Sequence, residues 1–404
     1  MRTRALILAT VALMAVANGA PLYESQLIFE RPTSDAPFHA HASCLVECPN
    51  GDLRAVWYET GAALPASYYS ESRDRSDDVR IGGSRKARAA KAWEKPFVMA
   101  DTFGVSDNNP CMVIDNQKRL LLFYPTLTGA PDWPWGSAVL QYSVSTNYSK
   151  PGPPVWSKQN ILIPHVQGVK EVVESSLAAI PDNFPPDKVE QFRKDFAARL
   201  NNVAYYRLGW MPRAHPLLRS DGAVLLPLSN ENFYVAAMAV TSDGGDTWTY
   251  SKPVSQTGIT QPTLAEFPDK SIVAFFRNTG KEHRIKRSES SDGGITWSAV
   301  TLTDRPHPGA GIEARVLKSG LLLLIYNDVD KAPRNKLAVS LSTDRGETWQ
   351  WTRHLEDSPD GRFDYPSIVQ GKDGTLHATY TLDAKTIKYA HFNEEWIKAG
   401  DPAK

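Results

Sequence analysis

The chain has 404 residues, with 45 Lys plus Arg against 45 Asp plus Glu, so its formal charge is zero. That balance excludes the electrostatic attraction by which basic proteins hold nucleic acid or anionic membrane surfaces. Hydrophobic residues make up 42% of the chain, ample for a large core, whereas three cysteines are too few for a disulfide framework.

The N-terminus reads as a secretory signal. Arg2 and Arg4 precede an apolar stretch over residues 5–17, with Ala15-Val16-Ala17 as a cleavage site and Pro21 beyond it. The stretch is too short to span a bilayer. Residues 1–20 are therefore assigned to the signal and residues 21–404 to one domain, secreted or periplasmic. His39 and His41 alternate on one strand face, a pairing that would suit a metal only with a third ligand. Cys44 and Cys48 follow in the same strand, roughly 13 Å apart by strand rise and too far to bridge each other. Cys111 leaves either one long-range bridge or buried thiols. The acids between Tyr58-Glu59 and Asp78 include Asp74. Asp107-Asn108-Asn109-Pro110 reads as a polar turn or a sugar contact. Asn147-Tyr148-Ser149 is a glycosylation sequon, relevant only in a eukaryotic host.

A turn followed by an apolar strand recurs six times: at Asn50-Gly51-Asp52, Asp115-Asn116, Ser220-Asp221-Gly222, Asp269-Lys270, Ser319-Gly320 and Asp373-Gly374. A Trp closes each unit, at Trp93, Trp156, Trp248, Trp297, Trp349 and Trp396, in steps of 63, 92, 49, 52 and 47 residues. The 92-residue step contains an insertion over about 164–206. Within it, Pro185-Pro186-Asp187 opens a run with Val189, Phe192, Phe196 and Leu200 at helical spacing, which predicts one amphipathic helix laid on the fold as decoration.

Three of the closing Trp residues end a stricter motif, Ser/Thr-x-Asp-x-Gly-x-Thr-Trp. It occurs from Thr241 to Trp248, from Ser290 to Trp297 and from Ser342 to Trp349. In such a turn the Asp ties back onto the backbone, Gly supplies the positive φ, and Trp packs beneath. Asp243, Asp292 and Asp344 are accordingly turn locks on the rim and not catalysts. A period near 50 residues built from short strands and Gly/Asp turns is that of propeller blades. Six units predict an all-β fold, a six-bladed β-propeller with a short helical insertion.

The motif resembles the Asp-box of the sialidase (neuraminidase) superfamily. The stretch from Gly209-Trp210-Met211-Pro212-Arg213 onward is similar to secreted bacterial predicted neuraminidases, most specifically at Gln261-Pro262-Thr263 and Asp364-Tyr365-Pro366-Ser367. Sialidases clamp a carboxylate with three arginines, attack with a tyrosine backed by glutamate, and use an aspartate as acid/base. The resemblance implies that Arg277 and Arg334 are the second and third arginines and that Tyr365 is the nucleophile. Where the first arginine belongs the chain has His41, and where the glutamate belongs it has Gln261. Arg213 then stands in for the missing arginine, Glu313 for the missing base, and Asp74 is the acid/base, with Asp78 second. Asn108 is a further sugar contact.

These readings describe an exo-acting glycoside hydrolase that removes a terminal acidic sugar and needs no metal or other cofactor. Its partner would be an acidic glycan. Two other readings fit the same residues: a non-catalytic carbohydrate-binding propeller, and a polysaccharide lyase in which His41 and Tyr365 share base and acid duties at a uronic acid.

Overall fold

In the computed structural model, residues 19–30, 38–60, 73–130, 132–180 and 185–402 are described. The Ala15-Val16-Ala17 site and nearly all of the assigned signal lie outside them. The strands form six antiparallel sheets. The first blade, for example, is built from Ala40–Glu47, Leu53–Thr60, Val79–Lys86 and Phe97–Ala100, paired in that order. The sheets stand radially, as a six-bladed propeller.

The first strand of each blade lines the axis, and neighbouring first strands are stitched by side chains. Ser367 Oγ accepts from Leu45 N at 3.2 Å, Thr263 Oγ1 from Ala314 N at 3.0 Å, and Cys44 Sγ from Met112 N at 3.2 Å. Because inner strands do not pair as a ladder, these hydroxyl and thiol acceptors satisfy amides that would otherwise be buried unpaired. All three cysteines are free and buried.

The ring is closed by the N-terminal strand. Tyr23–Leu27 pairs with Thr386–Phe392 and supplies the outer edge of the sixth blade. Trp396 lies in a terminal helix, Glu394–Lys398, capped by Asn393, and stacks on Tyr23 at 4.7 Å. The sixth unit thus departs from the other five. Its outer strand comes from the opposite end of the sequence, where no repeat signal exists.

Strand direction sorts the loops onto two faces. Inner strands start at one face, the mouth, and the hairpins between second and third strands return to it. Turns between third and fourth strands lie on the opposite face, and there the three Asp-boxes are found. Each box reaches toward the preceding blade. Trp248 meets Phe123 at 6.0 Å and Tyr142 at 5.9 Å. Gly245 has φ +88°, and a Cβ there would come 2.8 Å from the Tyr142 ring. Glycine is needed on both counts.

The insertion holds three helices, Val169–Ala178, Pro186–Leu200 and Val203–Arg207. The middle one is the predicted helix, with Phe196 stacked on Phe233 at 6.4 Å. The first seats Val169 and Val173 in the core, a packing role its two-valine stripe signals only weakly.

Candidate active site

The mouth is shaped by a kink repeated in four inner strands. Ala42, Asn109, Gln261 and Tyr365 all have positive φ, at 55°, 36°, 48° and 49°. The strand register shifts between His41 and Cys44, between Thr260 and Thr263, and between Asp364 and Ser367. For residues other than glycine this left-handed geometry costs on the order of 1–2 kcal/mol each. The preceding blade holds it in place: Ser229 Oγ accepts from Gln261 N at 3.1 Å, and Thr381 Oγ1 from Ala42 N at 3.0 Å. In Gln261-Pro262-Thr263 and Tyr365-Pro366-Ser367, the proline has no N–H to strand inside the kink. The following hydroxyl accepts from the next blade. The kink turns Gln261 and Tyr365 toward one another.

Arg277 Nη1 donates to the Tyr365 hydroxyl at 2.8 Å and to Gln261 Oε1 at 3.3 Å. Gln261 Nε2 donates to the same hydroxyl at 3.2 Å. The phenol oxygen therefore receives two donors, which stabilise its anion. Burial alone would raise its pKa, yet Arg277 and Arg334 outweigh that cost and bring it below the ordinary tyrosine value. Arg334 spends Nη1 on Asp364 Oδ1 at 2.6 Å and Nη2 on Gly309 O at 2.8 Å. Arg362 grips the other oxygen of Asp364. Arg213 lies 5.0 Å from the Tyr365 ring centre, its guanidinium carbon over the face.

The opposite side of Tyr365 is aromatic. The His41 ring meets it edge-on at 4.5 Å, with Tyr58 and His39 stacked behind. Burial, then His39 and Arg334, push His41 well below the usual histidine pKa, so it is neutral. His307, near Arg277 and Arg334, accepts from Asn278 N at 3.1 Å through Nε2. Burial, then Arg277, lower its pKa to about 3. Several buried mouth atoms have no partner among the described residues, including His39 Nε2, His41 Nδ1, Asn108 Oδ1, Arg277 Nε and His307 Nδ1. Among the described residues no His, Cys, Asp and Glu cluster could hold a metal.

A model of the BNR repeat-like domain matches residues 195–378. Similar solved structures share the six-bladed fold. The NanB sialidase of Streptococcus pneumoniae has a TM-score of 0.64 at 12% identity, over 92% of this chain and 71% of that one. The chain thus carries a BNR repeat-like stretch within the six-bladed fold that the sialidase structures also have. An intramolecular trans-sialidase from Ruminococcus gnavus gives 0.64 at 12% identity, over 90% and 96% of the two chains. A protein of unknown function from Dyadobacter fermentans gives 0.66 at 18% identity, over 92% and 98%. No curated protein sequence matches this one.

In this sialidase-like propeller Tyr365, Arg277, Gln261, Arg334, His41 and Arg213 come together. Arg213, however, is only 1% exposed, and its Nη atoms donate to Ser43 O and Pro366 O. It supports the tyrosine from beneath instead of facing the mouth. Glu313 is not brought to the Tyr365 hydroxyl. Its Oε2 accepts from Ile368 N at 3.1 Å, and its Oε1 lies 2.5 Å from His215 Nδ1. His215 Nε2 is 2.6 Å from Leu45 O, and a carbonyl can only accept, so this ring carries both protons. Burial opposes that charge, but Cys44 and Glu313 together raise the His215 pKa to about 10. This ion pair plugs the axis. Beside it lies a cavity of about 360 Å³ lined by aliphatic residues such as Val46, Leu264 and Val369 and by the charged Glu47, Glu266 and Arg315. Asn108 donates to Ser106 Oγ at 2.7 Å. Asp74 sits in a short 3-10 turn, Arg73–Arg75, ion-paired to Arg75 at 3.6 Å and electrostatically coupled to His39. Asp78 accepts from Ser76 Oγ at 2.7 Å.

The pairings of Asp364 with Arg334, and of His215 with Glu313, join distant segments and have no local motif. Only the position of His215, two residues past Arg213 near the start of an inner strand, gives a hint.

Proposed function

We propose that this chain is an exo-acting glycoside hydrolase that releases a terminal acidic sugar, sialic acid or a close relative, with Tyr365 as nucleophile. The observation that carries this reading is the Tyr365 hydroxyl itself. It is buried, yet its oxygen takes two donors and its acidity is raised by neighbouring guanidinium groups. A phenol at its ordinary pKa is a poor nucleophile near neutral pH. Here cations do the activating that a glutamate base would do, which accounts for an active arrangement with Gln261 in place of an acid. A phenol also approaches an anomeric carbon bearing a carboxylate without the repulsion a carboxylate nucleophile would meet. Among the described residues Arg277 uses only Nη1 in hydrogen bonds, so the rest of its fork is left for the substrate carboxylate. The N-terminal pattern of residues 1–20 supports a location outside the cytoplasm.

One observation favours a second reading. His41 is neutral and packed against Tyr365, which suits a proton-abstracting pair acting beside a uronic acid carboxylate. Incubation with sialosides and uronate-containing glycans, followed by mass analysis, separates the readings. Hydrolysis gives a free acidic sugar with water added across the cleaved bond. Elimination gives an unsaturated product of lower mass. Binding of these glycans with no product at all would leave only a lectin.

A further inference from the structure

Displacing a sugar oxygen requires a proton for the leaving group, and most mouth-face carboxylates are committed elsewhere. Asp364 is locked to Arg334 and Arg362. Asp107 is fully buried and accepts from Thr126 Oγ1 and Thr102 N. Glu59 holds Trp57 Nε1 and Arg80. These contacts occupy the oxygens of all three carboxylates.

Glu231 differs. It lies on the mouth-face hairpin between Val224–Asn230 and Val235–Thr241, in the blade preceding Gln261 and Arg277. The hairpin is fixed: Glu231 N donates to Gly209 O at 2.8 Å, and Asn230 Oδ1 accepts from Asn232 N at 2.8 Å and Phe233 N at 3.1 Å. The Glu231 side chain is half-buried and, among the described residues, makes no ion pair or hydrogen bond. The one charged group that acts on it is Arg277, on the facing blade.

We propose that Glu231 is the proton donor to the leaving oxygen, a role that rests on the hydrolase reading above. Burial raises its pKa to about 7 against the opposing pull of Arg277, so near neutral pH it populates both forms, as an acid/base group must. With its proton given up to solvent, the Tyr365 phenolate oxygen bonds to the anomeric carbon, the glycosidic bond breaks, and that bond's electron pair stays on the leaving oxygen, which takes the Glu231 proton. The Glu231 carboxylate then takes a proton from the water whose oxygen displaces Tyr365, and the cycle closes.

The test compares Glu231→Gln with wild type on sialyllactose and on 4-nitrophenyl sialoside, whose leaving group needs no proton. Sialyllactose turnover should fall on the order of 10²–10⁴-fold, while the aryl substrate is spared and the pH limb near neutrality disappears. Glu231→Asp, which keeps the acid, should restore part of the rate. Carboxyl ¹³C titration should show one group ionising near pH 7 that is missing from Glu231→Gln. Equal losses on both substrates, an ordinary Glu231 titration, or the leaving-group signature in Asp74→Asn instead would overturn the proposal. If Tyr365→Phe is inactive while Glu231→Gln is unimpaired on sialyllactose, this proposal fails alone. No sugar released by the wild type from either substrate overturns the hydrolase reading as well.

Discussion

The rim and the mouth of this propeller use the same polar chemistry to opposite ends. In the Asp-box at residues 290–297, Asp292 Oδ1 accepts from Ser290 Oγ, Ile295 N and Thr296 N, and Oδ2 from Thr296 Oγ1. Burial alone would raise its pKa, but those bonds together outweigh it and bring the pKa down to about 2. At the mouth, by contrast, buried nitrogens of His39, His41, Arg277 and His307 have no partner among the described residues. A filled group has no capacity left for a ligand, whereas an unfilled buried one costs stability unless water or substrate completes it. The saturated carboxylate is a lock; the unpartnered indole nitrogens of Trp248, Trp297 and Trp349 lie beneath the turns, whereas the unpartnered nitrogens at the mouth face a site.

The contrast breaks most sharply at Tyr365. Tyr365→Phe removes the oxygen but keeps the ring between Arg213 and His41. Turnover should fall on the order of 10³-fold or more, with the protein folded and glycan affinity, set by the arginines, retained. Kinetics alongside calorimetric binding would check this, and undiminished turnover would make His41 the next group to test.

The axial plug is the intermediate case, saturated like the rim but next to the mouth. Glu313→Gln leaves a buried charged histidine with a neutral partner, a loss of about 3–5 kcal/mol in denaturant unfolding. A raised His215 pKa gives stability that is full below the ordinary histidine value. It is lost as pH rises from about 6.5 toward about 10. The wild type should show that alkaline loss, and a His215→Gln/Glu313→Gln variant should not.

The smallest effect belongs to the rim. Asp292→Ala should cost about 1–2 kcal/mol, since the turn is exposed and water replaces part of what is lost, and should leave kinetic constants unchanged. Its depressed pKa means that this contribution is present above about pH 3.8 and fades as pH falls toward 2. A change in kcat/KM would contradict the separation of rim from mouth.

The fold was legible because its signals are local. Asp292, Gly294 and Trp297 lie within one turn, and six copies of the unit count the blades. The closing strand Tyr23–Leu27 carries no such signal, since its partner Thr386–Phe392 lies at the other end of the chain. Within the site, Tyr365, Gln261 and Arg277 are picked out only by the resemblance to sialidases. Glu313 could be noticed but not placed, because its side chain points to His215, 98 residues away. Arg213 likewise reads as a stand-in for the missing substrate-binding arginine until Ser43 O and Pro366 O are seen to enclose it. Charge partners set by tertiary contact leave no trace in local sequence, and they decide which acids and bases are free to react.

The central claim is that guanidinium groups, and not a carboxylate, activate Tyr365. Ultraviolet difference titration of tyrosine ionisation tests it most directly, with wild type, Tyr365→Phe and Arg277→Gln compared. One tyrosine should ionise below the ordinary range in the wild type, be missing from Tyr365→Phe, and move to higher pH in Arg277→Gln. A wild type in which every tyrosine ionises at or above the ordinary value, with Arg277→Gln unchanged, would contradict the claim.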